Sequence, residues 1–124
     1  MEKNDLKFLI LFFYYNRPEM VLNAIKSLNK NTYKNFEIAF IDDGSEQPGE
    51  EVVRNELKPS FVKKTTFYNT NDTVEAKIER GGSEFGKIAN EAVKNSDADV
   101  ILMLCDDDAL FPDYLDKLNK FYKY

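Results

Sequence analysis

The chain has 124 residues, 43% hydrophobic and 31% charged, enough for a single domain (1–124) with one core and too short for two. Its formal net charge of -5, with lysines scattered among acids, argues against nucleic acid or an anionic membrane surface as a partner. With no His, Ser-His-Asp and Cys-His nucleophile systems and most zinc sites are excluded, and one Cys excludes an internal disulfide and fits a reducing, cytoplasmic setting.

Phe8 to Tyr15 is a continuous apolar and aromatic run, the pattern of a strand buried on both faces of a parallel sheet. It is far shorter than the ~20 residues of a spanning helix, so no membrane span is expected, and Met1-Glu2-Lys3-Asn4-Asp5 lacks the character of a signal peptide. Asn16-Arg17-Pro18 breaks the strand, and Pro18 suits the first turn of a helix carrying Val21, Ala24, Ile25 and Leu28 on one face. Phe36 to Ile41 is a second strand, Asp42 to Gly49 an acidic loop, and Val52, Val53 and Leu57 mark a short helix ending before Pro59. Thr65 to Tyr68 is a weaker third strand.

Asn69 to Gly82 has no clear period and is expected to be a ligand-side loop, with Gly81-Gly82-Ser83 giving a turn. Ser83 is the expected N-cap of a helix whose apolar face is Phe85, Ile88, Ala89, Ala92 and Val93. Val100 to Leu104 is a fourth buried strand, and the last helix is expected to turn Leu115, Leu118, Phe121 and Tyr122 inward. Alternating strands and helices with right-handed crossovers give an α/β, doubly wound, mostly parallel sheet with flanking helices, whose ligands bind beyond the carboxyl ends of the strands.

Two acidic runs fall at such ends: Asp42-Asp43-Gly44-Ser45 after the second strand and Cys105-Asp106-Asp107-Asp108 after the fourth. Carboxylates at the edge of a buried sheet need a compensating cation or donor. Mg²⁺ or Mn²⁺, each taking one or two carboxylates and filling its shell with water and phosphate oxygens, suits that need and makes a diphosphate site plausible chemistry. Of the nearby bases, Arg17, Arg80 and Lys87 are placed to meet a diphosphate. Cys105 reads as a small buried residue whose neighbouring carboxylates suppress its thiolate.

Four passages in order, Phe13-Tyr14-Tyr15-Asn16-Arg17, Asp42-Asp43-Gly44-Ser45, Gly86-Lys87-Ile88-Ala89-Asn90 and Cys105-Asp106-Asp107-Asp108 with Pro112, resemble the nucleotide-binding half of GT-A-fold glycosyltransferases, especially the inverting family 2. The resemblance implies a Rossmann-like donor half and a nucleotide-diphospho-sugar, a UDP-sugar first of all, held with Mn²⁺ or Mg²⁺. It places Phe13, Tyr15, Arg17, Asp43, Asp42, Lys87 and Asp106 around the nucleotide, Tyr15 bordering the base and Asp43, ahead of Asp42, accepting its ring N–H. The register of the Asp-X-Asp motif has two solutions, of which the one anchored on Pro112 is preferred because that proline is expected to open a helix that fixes where the turn sits. Taken literally, Asp106 and Asp108 form it; counted back from Pro112, Cys105 takes the first position, Asp106 faces the ribose and Asp107 is the first metal ligand, with Asp108 in reserve.

The same resemblance implies that the acceptor site and the catalytic base belong to a further half beyond Tyr124. The acceptor, whether glycan, lipid or protein, is not encoded in these residues, and apolar surface left by a missing cover is expected to favour homo-oligomers. Two other function classes stand beside a transferase: a non-catalytic nucleotide or nucleotide-sugar binding module, and a receiver-like phosphotransfer domain. The last requires an acidic cluster after the first strand, where this chain carries aromatics.

Overall fold

A computed structural model of the chain describes residues 5–123. Four strands, β1 (Phe8–Tyr14), β2 (Phe36–Asp42), β3 (Thr65–Asn69) and β4 (Val100–Cys105), form one parallel sheet in the order β3-β2-β1-β4. The chain steps outward from β1 through β2 to β3, then returns to lay β4 on the opposite side of β1. The strand order therefore reverses between β1 and β4, and the crevice at their carboxyl ends is the topological switch point where α/β sheets bind ligands.

Because successive strand side chains point to opposite faces, β1 feeds two cores. Phe8, Ile10, Phe12 and Tyr14 pack with Ile38 and Phe40 against Val21, Ile25 and Leu28 of α1 (Val21–Asn29), Val53 of α2 (Glu50–Glu56) and Phe61 of α3 (Pro59–Val62). Leu9, Leu11, Ala39 and Ile41 pack against Ala89 and Ala92 of α5 (Phe85–Lys94), the small alanines letting that helix lie close on the sheet. Phe40 is the hub of the first core, with ring centroids 5.2, 5.7 and 5.8 Å from Phe12, Tyr14 and Phe67.

The α/β doubly wound fold is as expected, and several local details differ from the sequence reading, among them the start of α5 (Phe85–Lys94), where Glu84 rather than Ser83 stands at the N-cap. Residues 69–82 are not wholly loop, since α4 (Val74–Arg80) forms within them, capped by Thr73 Oγ1 accepting from the Ala76 N–H at 3.0 Å and closed by Gly81 at φ 82°. The cap signals were present, but α4 buries no residue, so it lacks the apolar stripe by which helices are recognised. Pro59 opens a further one-turn helix, α3, rather than simply ending α2.

β4 is an edge strand, not one buried on both faces: Ile101 and Met103 are 47% and 62% exposed, because they sit beside Leu9 and Leu11 on the face whose helix α5 lies over β1 and β2. In α6 (Tyr114–Lys123), Leu115 is buried and Leu118 packs on the core, whereas Phe121 and Tyr122 are 74% and 57% exposed and pack on each other. That helix therefore buries its first two turns and leaves its end in solvent.

This split sets a stability test. Leu115→Ala removes a fully buried side chain and should cost about 2–5 kcal/mol, while Phe121→Ala should stay within about 0.5 kcal/mol of the parent in urea denaturation. Comparable losses would mean that the end of α6 is packed.

Candidate functional site

The turns leaving β1 and β2 are stitched together before any ligand is considered. Asn16, in the left-handed region at φ 48° that Asn tolerates, donates its N–H to Ser45 Oγ at 2.9 Å and accepts the Gln47 N–H on Oδ1 at 2.9 Å. Tyr14 adds a bond from its hydroxyl to the Gln47 carbonyl at 2.7 Å, and burial, reinforced by the charges of Asp42 and Asp106, pushes its phenol pKa up so that it stays a donor. Asp42 is buried, accepting from the N–H groups of Ser45 and Gly49, each at 3.0 Å. It closes the loop on itself.

At the end of β4 the acids divide in the same way. Asp106, 6% exposed, accepts the Tyr15 N–H at 2.9 Å and lies 3.4 Å from Arg17 Nη1, joining the ends of β4 and β1 across the switch point. Asp107 and Asp108 are exposed; Arg17 also reaches Asp107 at 3.5 Å, and Asp108 accepts the Cys105 N–H at 3.0 Å. The ligand atoms of Cys105, Asp107 and Asp108 all lie within 4.8 Å of one another. Burial first, then the charges of Asp108, Asp107 and Asp106, raises the Cys105 pKa, so the thiol keeps its proton. Two adjacent exposed carboxylates beside a neutral thiol fit a hard divalent cation that completes its shell with water and phosphate oxygens.

Asp43, the second acid of the β2 turn, faces a different set of groups. Its Oδ1 accepts from Thr70 Oγ1 at 3.0 Å and Ser83 Oγ at 2.7 Å, and its Oδ2 lies 3.2 Å from Lys77 Nζ. The same ammonium donates to the Asp43 carbonyl at 2.7 Å and sits 4.2 Å from the centroid of the Tyr15 ring. A carboxylate offers about four acceptor positions, so Asp43 retains one for a further N–H.

These side chains border two clefts that share Tyr15. One, of about 350 Å³, is lined by Phe13, Tyr15, Arg17, Asp43, Asp106 and Asp107 together with Phe85 and Met103, and Phe13 and Phe85 meet edge to face at 5.2 Å. The other, of about 340 Å³, lies between the Gly44–Glu46 turn and residues 69–75. Of the residues expected at a nucleotide, Phe13, Tyr15, Arg17, Asp43 and Asp106 come together here with Asp107, and Asp42 sits beneath as loop scaffold. Lys87 does not join them: it is exposed on the outer side of α5, 4.0 Å from Glu84, beside Asn90, Glu91 and Lys94. Arg80 is likewise engaged elsewhere, with buried Asp72 and with Glu84 at 3.3 Å.

Lys77 is the site residue that the sequence reading missed. It lies on α4, and the available signal was Thr73 before Val74 and Ile78 with Gly81 after Arg80, a helix start and stop with seven residues between them. The roles of Thr70 and Ser83 were missed as well: β3 pairing carries Thr70 beside the β2 turn, its N–H donating to the Asp42 carbonyl at 2.9 Å, and Ser83, expected only as a helix cap, reaches Asp43 from the turn after α4.

The glycosyl transferase family 2 model matches residues 10–124. The chain belongs to glycosyl transferase family 2. An uncharacterised glycosyltransferase of Rickettsia conorii is 31% identical over 118 residues, 95% of this chain but 17% of the relative, and one of Rickettsia felis is 29% identical over the same span. The chain therefore covers about a sixth of those relatives. Among solved structures, S. aureus TarS in complex with UDP-GlcNAc superposes with a TM-score of 0.69 at 21% identity, over 95% of this chain and 31% of that one. The mannosyltransferase PcManGT from Pyrobaculum calidifontis, in complex with GDP-Man and Mn²⁺, gives 0.64 at 14% identity over 90% and 30%. Both share the fold.

The turn that presents Asp43 depends on Gly44, whose φ is 72° and where an added Cβ would stand 2.1 Å from the Asp72 carbonyl oxygen. Gly81 has a similar φ of 82° but open space around it. Gly81→Ala should therefore cost only the left-handed penalty of about 1–2 kcal/mol, and Gly44→Ala clearly more. Equal losses in thermal denaturation would mean that backbone conformation alone governs this loop.

Proposed function

We propose that this domain binds a nucleotide-diphospho-sugar, a UDP-sugar in the first instance, for inverting sugar transfer, with a divalent metal at Asp107 and Asp108. The observation that carries the reading is the meeting of Tyr15, Arg17, Asp43 and the Asp106–Asp108 run at the switch point between β1 and β4. In this reading the face of Tyr15 borders the base and Asp43 takes its ring N–H on the remaining acceptor position. Asp106 fixes the Tyr15 backbone and the Arg17 guanidinium, and Arg17 offers its charge to the diphosphate. Mn²⁺ or Mg²⁺, when bound, supplies the positive charge that stabilises the leaving nucleoside diphosphate. The Mn²⁺ and GDP-Man of PcManGT and the UDP-GlcNAc of TarS support the class of ligand.

Among the described residues, the carboxylates lining the cleft are Asp43, Asp106 and Asp107, each already given a donor-side role. The reading therefore assigns these residues donor binding and no general base, with the acceptor, be it glycan, lipid or protein, approaching from the open β4 side. The exposed Ile101 and Met103 on that side support self-association as part of the same reading. No helix among the described residues is long and apolar enough to cross a membrane. The single cysteine supports action in a reducing, cytoplasmic setting.

A ligand bound only by the folded state raises stability by about 2.7 kcal/mol at a hundredfold excess over Kd. UDP with Mn²⁺ should raise the melting temperature more than either alone, and no shift with UDP, GDP, dTDP or CDP in the presence of metal would remove the donor-site reading. Asp107→Asn should abolish most of the metal-dependent part of the shift and Asp108→Asn less of it; the reverse order would move the motif by one residue. A polypeptide of residues 1–124 should bind donor with at most slow hydrolysis, because without a positioned acceptor and base the transfer loses its effective concentration and the ~10²–10⁴-fold of proton abstraction. Acceptor-dependent turnover by a monomer of that length would contradict this.

A further inference from the structure

Lysines that are scattered in the sequence meet at the end of the sheet opposite the donor cleft. β2 and β3 run parallel with Ile38 beside Thr65, so the connector entering β2 brings Lys34 against Lys63 and Lys64, which lead into β3. With Lys7, Glu37 and Thr66 they line a cleft of about 350 Å³. The acid there is already spent: Glu37 lies 3.2 Å from Lys7, which also holds Asp97 at 2.6 Å, and Glu37 accepts from Ser96 as well.

Among the described residues, Lys34, Lys58, Lys63 and Lys64 form no ion pair with a carboxylate. Lys34, Lys58 and Lys64 are held by aromatic faces instead. Lys34 and Lys58 each place an ammonium 5.4 Å from the Phe61 ring, Lys64 lies 4.7 Å from Phe36, and the two rings meet edge to face at 5.0 Å. Lys64 also donates to the Lys34 carbonyl. Burial and the charge of Lys34 lower the Lys64 pKa, the sign of an ammonium lacking a counter-charge.

We infer that this cleft is a second ligand site, taking a phosphate group. Three unpaired ammoniums, each a point charge with three N–H donors, suit the dianionic tetrahedral oxygens of a phosphate better than a single carboxylate. A pocket of about 350 Å³ also has room for whatever group the phosphate esterifies. Soluble phosphate esters and the headgroups of anionic lipids present the same chemistry. The net charge of -5 argued against an anionic membrane surface, but net charge averages over a surface on which the fold has gathered these lysines.

The test uses the full chain in EDTA, where a metal-dependent donor site is silent, so its outcome is separable from that of the donor reading. Pyrophosphate titrated at low salt should move the backbone amides of Lys34, Lys63, Lys64 and Thr66 and leave those of Tyr15 and Asp107 unmoved. The double variant Lys34→Ala/Lys63→Ala, at two exposed positions, should weaken that binding about tenfold or more and keep the response to UDP with Mn²⁺. A parallel sedimentation with phosphatidylcholine vesicles, with and without phosphatidylglycerol, separates the sources: lysine-dependent binding to the anionic vesicles without pyrophosphate binding assigns the site to a lipid headgroup. Binding to neither probe, or binding that the double variant retains in full, would overturn the inference.

Discussion

The carboxylate of Asp106 is the tie on which the site depends. It is buried at the point where the strand order reverses, and a buried carboxylate is tolerated only when its oxygens are taken by donors. The Tyr15 N–H and the Arg17 guanidinium supply them, so the end of β4 is fastened to the end of β1. That bond fixes where the Tyr15 backbone sits and draws Arg17 over the acidic turn, while the next two residues of the run, Asp107 and Asp108, are left facing solvent.

The β2 turn follows the same division of labour. Asp42 satisfies backbone N–H groups of its own loop, and Asp43 points to the cleft. In each run the first carboxylate builds the turn and a later one is presented outward. Lys77 adds a feature of its own, since one ammonium contacts both the carboxylate and the carbonyl of Asp43 and the face of Tyr15. A base entering beside Tyr15 must share that ring and that carboxylate with Lys77, and α4, which buries no side chain, is the element with least to lose by shifting.

Most of the fold was legible because β1 and β2 are buried on both faces and α1 carries an unbroken stripe; such patterns have one physical reading. The two acidic turns were legible for a related reason, as charges abutting buried strands. What was not legible depends on partners distant in sequence. The exposure of Ile101 and Met103 follows from where α5 crosses the sheet, and that of Phe121 and Tyr122 from where α6 leaves the core. Lys87 was placed by its neighbours in sequence and stands on the wrong side of its helix for the cleft, whereas Lys77 reaches it from a helix without an apolar face.

In the proposed reading, Asp107 and Asp108 hold a divalent metal beside a nucleotide at the β1–β4 crevice. Paramagnetic broadening of backbone amide signals by trace Mn²⁺, recorded with and without UDP, tests it most directly. The expected outcome is loss of the Cys105, Asp107 and Asp108 signals, strengthened by UDP and spreading to Tyr15 and Arg17, with Lys87 and Lys34 unaffected. Broadening centred elsewhere, or none at these residues with UDP present, would contradict it.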